Sequence, residues 1–406
     1  MPTCRVCGSP DVHPILDLGV LPLSRALVQH PDDLEVRYPL DVGFCSACTL
    51  VQLLHAVPPN ILFCHEHAYR SSGSSTLLRA AERQAADLCV SQQLGTDSLV
   101  LEFGSNDGYL LQHFVARGVP VLGIEPAIGP AQASADKGIP TYAKFFTREF
   151  AETLWHEGVR ADVIVANNTL AHVEDTPGVV AGIARLLKPD GVAVIEVPYV
   201  VDLIHHCEFD TITHEHQCYF SLTALHKLFA RNGLTLQHAE RTPMHGGSLR
   251  VTAGLAGSGV ECHPSVAHLL LDEDEQGVTM RPYYDHFALG VEAVKKSLLE
   301  FLREVNAKGK KVVAYGAAAK GATLLNYCGI GADLLDFVVD KSSSKHGWYM
   351  PGSHLLVYPT EALVTEKADY ALLLVWNFKD EILAEQAEYR QRGGKFAIPI
   401  PALEVV

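Results

Sequence analysis

The sequence predicts an α/β protein: a small cysteine-rich module followed by two units of alternating strands and helices. Three observations predict it. Two C-x2-C pairs lie near the start of the chain. Apolar runs at 98–103, 119–124, 162–166 and 191–197 alternate with helical patterns, and a second such series begins near residue 311. At 406 residues the chain exceeds one compact core, and three segments are expected: 1–75, 76–260 and 261–406.

The first segment carries short strands, prolines and the cysteine pairs. The second opens with a helical stretch over 76–93, and its alternation of strands and helices argues for βαβ units on a parallel sheet. After a loop at 257–264, a long helical pattern over 280–306 leads into strands at 311–315, 335–339, 370–375 and 395–398.

Bulk properties exclude some function classes. A net charge of −15 makes a nucleic-acid backbone a poor partner, because phosphate recognition needs a basic face. No run of 18 apolar residues is present, so a membrane span is not expected. The opening Met1-Pro2-Thr3-Cys4-Arg5 enters a cysteine motif directly, and no secretory leader is expected. Of ten cysteines, four are paired and six scattered singly, a pattern suited to a reducing cytoplasm with one metal site.

Cys4-Arg-Val-Cys7 and Cys45-Ser-Ala-Cys48 form two knuckles. Each turn directs two thiolates at one ion, and together they complete a tetrahedral Cys4 zinc site. With every vertex filled by sulfur, the metal is expected to be structural.

Leu99–Gly108 reads as a strand ending in a glycine-bearing turn, and Glu125 ends the next strand, where a carboxylate accepts ribose hydroxyls in dinucleotide folds. The loop is not G-x-G-x-x-G. It resembles motif I of the class I S-adenosylmethionine (SAM)-dependent methyltransferases, E/D-x-G-x-x-x-G. That resemblance implies a class I SAM methyltransferase Rossmann-like domain. Glu102, Gly104, Asn106 and Gly108 form the cofactor loop, Glu125 holds the ribose, Asn167 lies near the cofactor, and Phe145 or Phe146 flanks the adenine. A second glycine loop, Tyr315–Gly321, follows a strand and reads equally as a phosphate site using Lys320 or as a close-packing turn.

The densest polar cluster is Glu208–Phe220, with His214-Glu215-His216 at its centre. It lacks the H-E-x-x-H spacing of zinc peptidases, and acid–base chemistry is the favoured reading over a metal site or a solvated loop.

In order, these motifs resemble the C-methyltransferases of deoxysugar biosynthesis, makers of branched sugars such as mycarose and tetronitrose. The resemblance spans nearly the whole chain. Besides the cysteine pairs and Glu102–Gly108 it includes Leu18-Gly19-x3-Leu23, Tyr69-Arg70-Ser71-Ser72-Gly73-Ser74-Ser75, Asn168-Thr169-Leu170-Ala171-His172 and Phe209-Asp210-x4-Glu215-His216. It closes with His245-Gly246-Gly247, Tyr315-Gly316-Ala317-x-Ala319-Lys320 and Leu373-x2-Val375-Trp376-Asn377.

The resemblance implies a zinc module, a SAM domain and a C-terminal Rossmann-like α/β domain, with a dTDP-linked 4-keto-6-deoxy sugar held between the domains. It implies methylation beside the C-4 ketone, at C-3 or, less often, C-5. His216 is then the base, Glu215 assists or orients it, Tyr69 acts at the sugar by contacting the keto oxygen or relaying the proton, and Thr213, His172, His245 and Lys320 line the substrate site. Many relatives carry Tyr where this chain has Thr213. A SAM-dependent O-methyltransferase is the nearest alternative, and a non-catalytic zinc/Rossmann interaction module is the alternative from another class. Oligomeric state is not legible in the sequence.

Overall fold

The computed structural model describes residues 3–62 and 70–406. Their strands form three sheets.

The first sheet starts with β1 (Val12–Pro22) and β2 (Arg37–Cys45), an antiparallel hairpin that pairs Val12 with Cys45, and continues with β3 (Val51–Leu53). These strands are longer than the short strands expected of this segment. Their pattern is masked by Pro14, Gly19, Pro39 and Gly43, which tolerate edge and bulge positions but dilute the alternation.

The second sheet contains β4 (Val100–Phe103), β5 (Val121–Ile124), β6 (Thr141–Tyr142), β7 (Ala161–Asn167) and β8 (Leu187–Pro198). The chain then leaves it for β9 (Cys218–Tyr219), which pairs with β3 and so closes the first sheet from a distant part of the sequence. It returns as β10 (Leu234–Thr242) and β11 (Ser248–Leu255), giving the order β10-β11-β8-β7-β4-β5-β6. The pairs among β4 to β8 are parallel; β10 and β11 add antiparallel. β4, β7 and β8 are apolar and mostly buried, as expected for strands covered on both faces.

The third sheet comprises β12 (Val312–Tyr315), β13 (Val338–Asp340), β14 (Val357–Pro359), β15 (Tyr370–Leu373), β16 (Lys395–Ile398) and β17 (Glu404–Val405), ordered β14-β13-β12-β15-β16-β17. Its five parallel strands wind in the same order as β6-β5-β4-β7-β8. In both sheets the strand order reverses beside the first strand, which opens a crevice at the carboxyl ends of the strands.

Helices set the spacing of these layers. The helix Ser75–Ser91 starts where the Ser74 hydroxyl accepts the Leu77 N–H, and buries Leu77, Ala81, Ala85 and Leu88 at helical spacing. Phe287–Ala307 buries Phe287, Val291, Val294, Leu298, Leu302 and Val305 along one stripe. No helix among the described residues is long and apolar enough to cross a membrane.

Candidate functional site

The four knuckle sulfurs converge. All lie within 4.8 Å of one another, with Cys4 Sγ to Cys48 Sγ at 3.3 Å and Cys7 Sγ to Cys45 Sγ at 3.6 Å. Zinc with Zn–S bonds of about 2.3 Å in a tetrahedron separates its sulfurs by roughly 3.8 Å, so the donor set fits that ion. Burial, with the Cys4 charge adding to it, pushes the Cys45 thiol up to about 11. Thiolates packed this closely need a shared cation. Each knuckle is closed by a backbone turn, Gly8 N–H to Cys4 O and Thr49 N–H to Cys45 O, both at 2.8 Å.

The glycine loop after β4 is held from two sides. Glu125, at the end of β5, accepts the N–H of Asn106 at 2.9 Å and of Ala127 at 2.8 Å. Asn106 adopts φ +50° and its Oδ1 accepts the Ser71 N–H at 2.9 Å, while the Ser72 hydroxyl donates to Asp107. Gly104 has φ +68°, and a Cβ there would stand 2.1 Å from Thr169 Oγ1, so no larger residue fits. Gly108 follows at φ +74°.

Beneath the loop Glu102 is fully buried, and neither carboxylate oxygen has a hydrogen-bond partner among the described residues. Burial, with Glu125 and Asp107 adding to it, pushes its carboxyl well above the usual range. An orphaned acid under a glycine loop fits a ligand that brings a cationic or N–H group, as the aminoacyl end of SAM does.

Asn167 ends β7 in a reciprocal pair with Gln84, at 2.7 and 3.3 Å. Gln84 is a buried polar residue on the otherwise apolar stripe of Ser75–Ser91. Of the two phenylalanines, Phe146 is buried and stacks on Phe103 with ring centroids 4.7 Å apart; Phe145 is exposed. Phe146 is therefore a core residue rather than a wall of a ligand site.

The histidine segment packs on the turn after β7, where the Gln217 N–H donates to the Ala171 carbonyl at 2.8 Å. His216 Nδ1 stands 2.8 Å from the Thr211 carbonyl, and His172 Nδ1 stands 2.9 Å from the Glu215 carbonyl. A carbonyl only accepts, so Nδ1 carries the proton in both rings, and in neutral His216 the lone pair is on Nε2. The two rings meet edge to face at 4.7 Å. Burial holds His172 down to about 4 and His216 well below its ordinary value.

The Glu215 carboxylate points elsewhere, to Arg25 Nε at 2.9 Å. His214 Nε2 bonds the Tyr38 carbonyl at 3.1 Å, so it faces away from His216 and braces the first sheet. Thr213 is buried, and its carbonyl accepts the His216 N–H at 3.1 Å. The His245 backbone sits in the turn Met244–Gly246. Tyr69 lies outside the described residues.

Lys320 enters the same region from the third sheet. Its Nζ lies 4.3 Å from the centre of the Trp376 ring, and the Trp376 indole donates to Asp210 Oδ2 at 2.7 Å. Burial raises the Asp210 carboxyl to about 6 against the pull of Lys320, and raises Glu208 likewise. Asp340, which ends β13, accepts the Ala317 N–H at 2.7 Å, the Ser342 N–H at 2.8 Å and Lys345 Nζ at 3.0 Å. It repeats the Glu125 arrangement with a lysine added against the carboxylate.

The sequence reading missed Arg25 and Gln84 as neighbours of the site. Gln84 carried a signal, a polar residue inside an apolar helical stripe. Arg25 carried none.

Three protein families match consecutive stretches of the chain. "Putative zinc binding domain" matches residues 4–63, "Methyltransferase domain" 74–239 and "C-methyltransferase C-terminal domain" 243–401. The C-methyltransferase NovU of Streptomyces niveus is 38% identical over 406 residues, covering 99% of this chain and 96% of that one. Solved structures show distant likeness. Magnesium protoporphyrin IX methyltransferase (ChlM) of Synechocystis PCC 6803, with bound SAM, is 14% identical and covers 44% of this chain and 79% of its own, with a TM-score of 0.35. A SAM-dependent methyltransferase of Clostridium acetobutylicum ATCC 824 is 8% identical and covers 44% and 92%, with a TM-score of 0.36. The relation to NovU along the full chain, with the three consecutive family matches, places this protein in the C-methyltransferase family: it is a SAM-dependent C-methyltransferase with a zinc-binding module.

Proposed function

We propose that the chain methylates the carbon beside the C-4 ketone of a dTDP-linked 4-keto-6-deoxy sugar, at C-3 in preference to C-5. The observation that carries this reading is the fixed tautomer of His216. Its Nδ1–H is committed to the Thr211 carbonyl, so Nε2 is the atom that takes a proton. A C–H beside a ketone is acidic enough for such a base, provided the charge developing on the ketone oxygen is stabilised.

In this reading His216 Nε2 removes the proton and the electron pair moves to the ketone oxygen as an enolate. Bound SAM supplies an electrophilic methyl group on a sulfonium; the carbon forms the new C–CH3 bond as the S–CH3 bond breaks. Glu102, Gly104, Asn106, Gly108, Glu125 and Asn167 hold that cofactor. Glu215 orders the histidine pair, since its carbonyl holds His172 against His216. Tyr69, Thr213, His172, His245 and Lys320 contact the sugar nucleotide. The working division is 1–75 for zinc, 76–260 for SAM and 261–406 for the second Rossmann-like unit, and the reducing cytoplasm belongs to the same proposal.

The test is solvent exchange. Purified protein is incubated with dTDP-4-keto-6-deoxyglucose in D2O and the ring protons followed by NMR, with and without SAM, beside His216→Ala. Loss of the C-3 or C-5 proton, followed by a new C-methyl signal with SAM, is expected. Methyl transfer to oxygen without C–H exchange would overturn the reading.

A further inference from the structure

Arg25 stands apart from every motif, three residues after β1 in the zinc-bearing segment, yet its Nε reaches Glu215 Oε2 at 2.9 Å. The Glu215 side chain is 6% exposed and that of Arg25 is 39% exposed, so the carboxylate is enclosed and the cation borders the solvent side. The contact is an ion pair, and its charges attract through surroundings that screen them less than water does, so the carboxylate is drawn toward the guanidinium. The carbonyl of the same residue fixes His172, whose ring packs against His216.

We propose that Arg25, delivered by the zinc module, is a positioning residue of the methyl-transfer site: its guanidinium seats the Glu215 carboxylate and, through that residue, the His172–His216 pair. The proposal rests on the reading of His216 as the base.

A second effect follows from charge. Among the described residues, the groups facing His216 are His172 on the turn Leu170–His172, the Thr211 carbonyl, Tyr219 on β9, Lys320 on the helix Ala319–Cys328, and Arg25. Behind Lys320 stand the carboxylates Glu208 and Asp210, which offset it. Arg25 faces the Glu215 carboxylate. Its positive charge opposes protonation of both rings, in the same direction as burial. The zinc module thus contributes a charge to the site as well as a folded platform. β1 pairs with the strand that ends in Cys45, so the metal knuckle and the Arg25 loop are ends of one hairpin.

Histidine NMR of full-length, zinc-loaded protein tests this without any substrate. In Arg25→Gln the protonation transitions of His172 and His216 should move to higher pH by about half a unit or more. In Glu215→Gln, where Arg25 remains without its carboxylate, they should move to lower pH. Opposite shifts support the proposal; unmoved transitions in either folded variant overturn it. If Arg25→Gln does not fold, Glu215→Gln decides alone. Wild-type protein that fails to exchange a sugar C–H would sink the reading of His216 while leaving these titrations to judge Arg25. With exchange established, the acid limb of its pH profile should shift to higher pH in Arg25→Gln, which a merely structural role would not cause.

Discussion

The Trp376 indole N–H donates to the Asp210 carboxylate at 2.7 Å, joining the third sheet's crevice to the segment that carries His216. Asp210 is fully buried, and its other oxygen has no hydrogen-bond partner among the described residues. Trp376→Phe keeps the aromatic face beneath Lys320 but strands the acceptor. A loss of about 1–3 kcal/mol is expected, read as a lower urea midpoint. An unchanged midpoint would mean that water replaces the indole without cost.

Glu125 holds the glycine loop and, in the proposed complex, the ribose hydroxyls. Glu125→Ala removes the acceptor of two backbone N–H groups and of the ligand together. SAM affinity, measured by calorimetry, should fall on the order of 100-fold, as expected for losing hydrogen bonds to a charged group. Retained affinity in the folded variant would place the ribose elsewhere.

Gly104→Ala tests the close approach of the loop. The added methyl would meet Thr169 Oγ1 at 2.1 Å in a left-handed backbone. Both the melting temperature and SAM binding should drop. Gly104→Ala with Thr169→Ala should recover part of the loss, because the obstructing hydroxyl and methyl are then gone.

Removal of zinc should abolish methyl transfer even though no cysteine of the site is placed at the substrate. The knuckles anchor β1 and β2, and β3 pairs with β9, two residues beyond His216. Chelation followed by metal analysis and an exchange assay would show it. Full activity in metal-free protein would separate the module from the site.

His172 makes stability depend on pH. Its folded value is about 4 against an ordinary 6.5, chiefly because burial disfavours the charged ring. As pH falls below 6.5 the unfolded chain takes up a proton that the folded ring refuses, so its contribution is present above 6.5 and lost on the way to 4. The loss amounts to about 3 kcal/mol. In His172→Asn the fall in unfolding free energy between these pH values should shrink by that order. An identical pH dependence in the two proteins would count against a buried neutral ring.

Much of the fold was legible because its signals are local. The apolar runs at β4, β5, β7, β8, β12, β13, β15 and β16 lie within a few residues of the expected positions, since strands buried on both faces announce themselves by composition. The antiparallel strands β10, at the sheet edge, and β11, between β10 and β8, were not foreseen. Leu234-Thr235-Leu236-Gln237 alternates as a half-buried strand should, but polar residues over 237–242 dilute the pattern. β9 offers only two residues and owes its existence to β3.

What the sequence determined by itself was the chemistry that depends on spacing along the chain. Two C-x2-C turns define a sulfur cage, and a strand, a glycine turn and a carboxylate at the next strand end define a nucleotide-type pocket. Each knuckle and the strand-to-turn unit are built by neighbours, so short-range geometry makes them legible, while the β1–β2 hairpin brings the two knuckles together. Tertiary structure decided which groups meet. Arg25 reaches Glu215, Gln84 pairs with Asn167, and Trp376 bonds Asp210 across 166 positions. It also turned Phe146 into the core and His214 toward the first sheet. No local pattern encodes such pairings. They arise when burial brings polar groups to one place and each must find a partner there to offset the water it has lost.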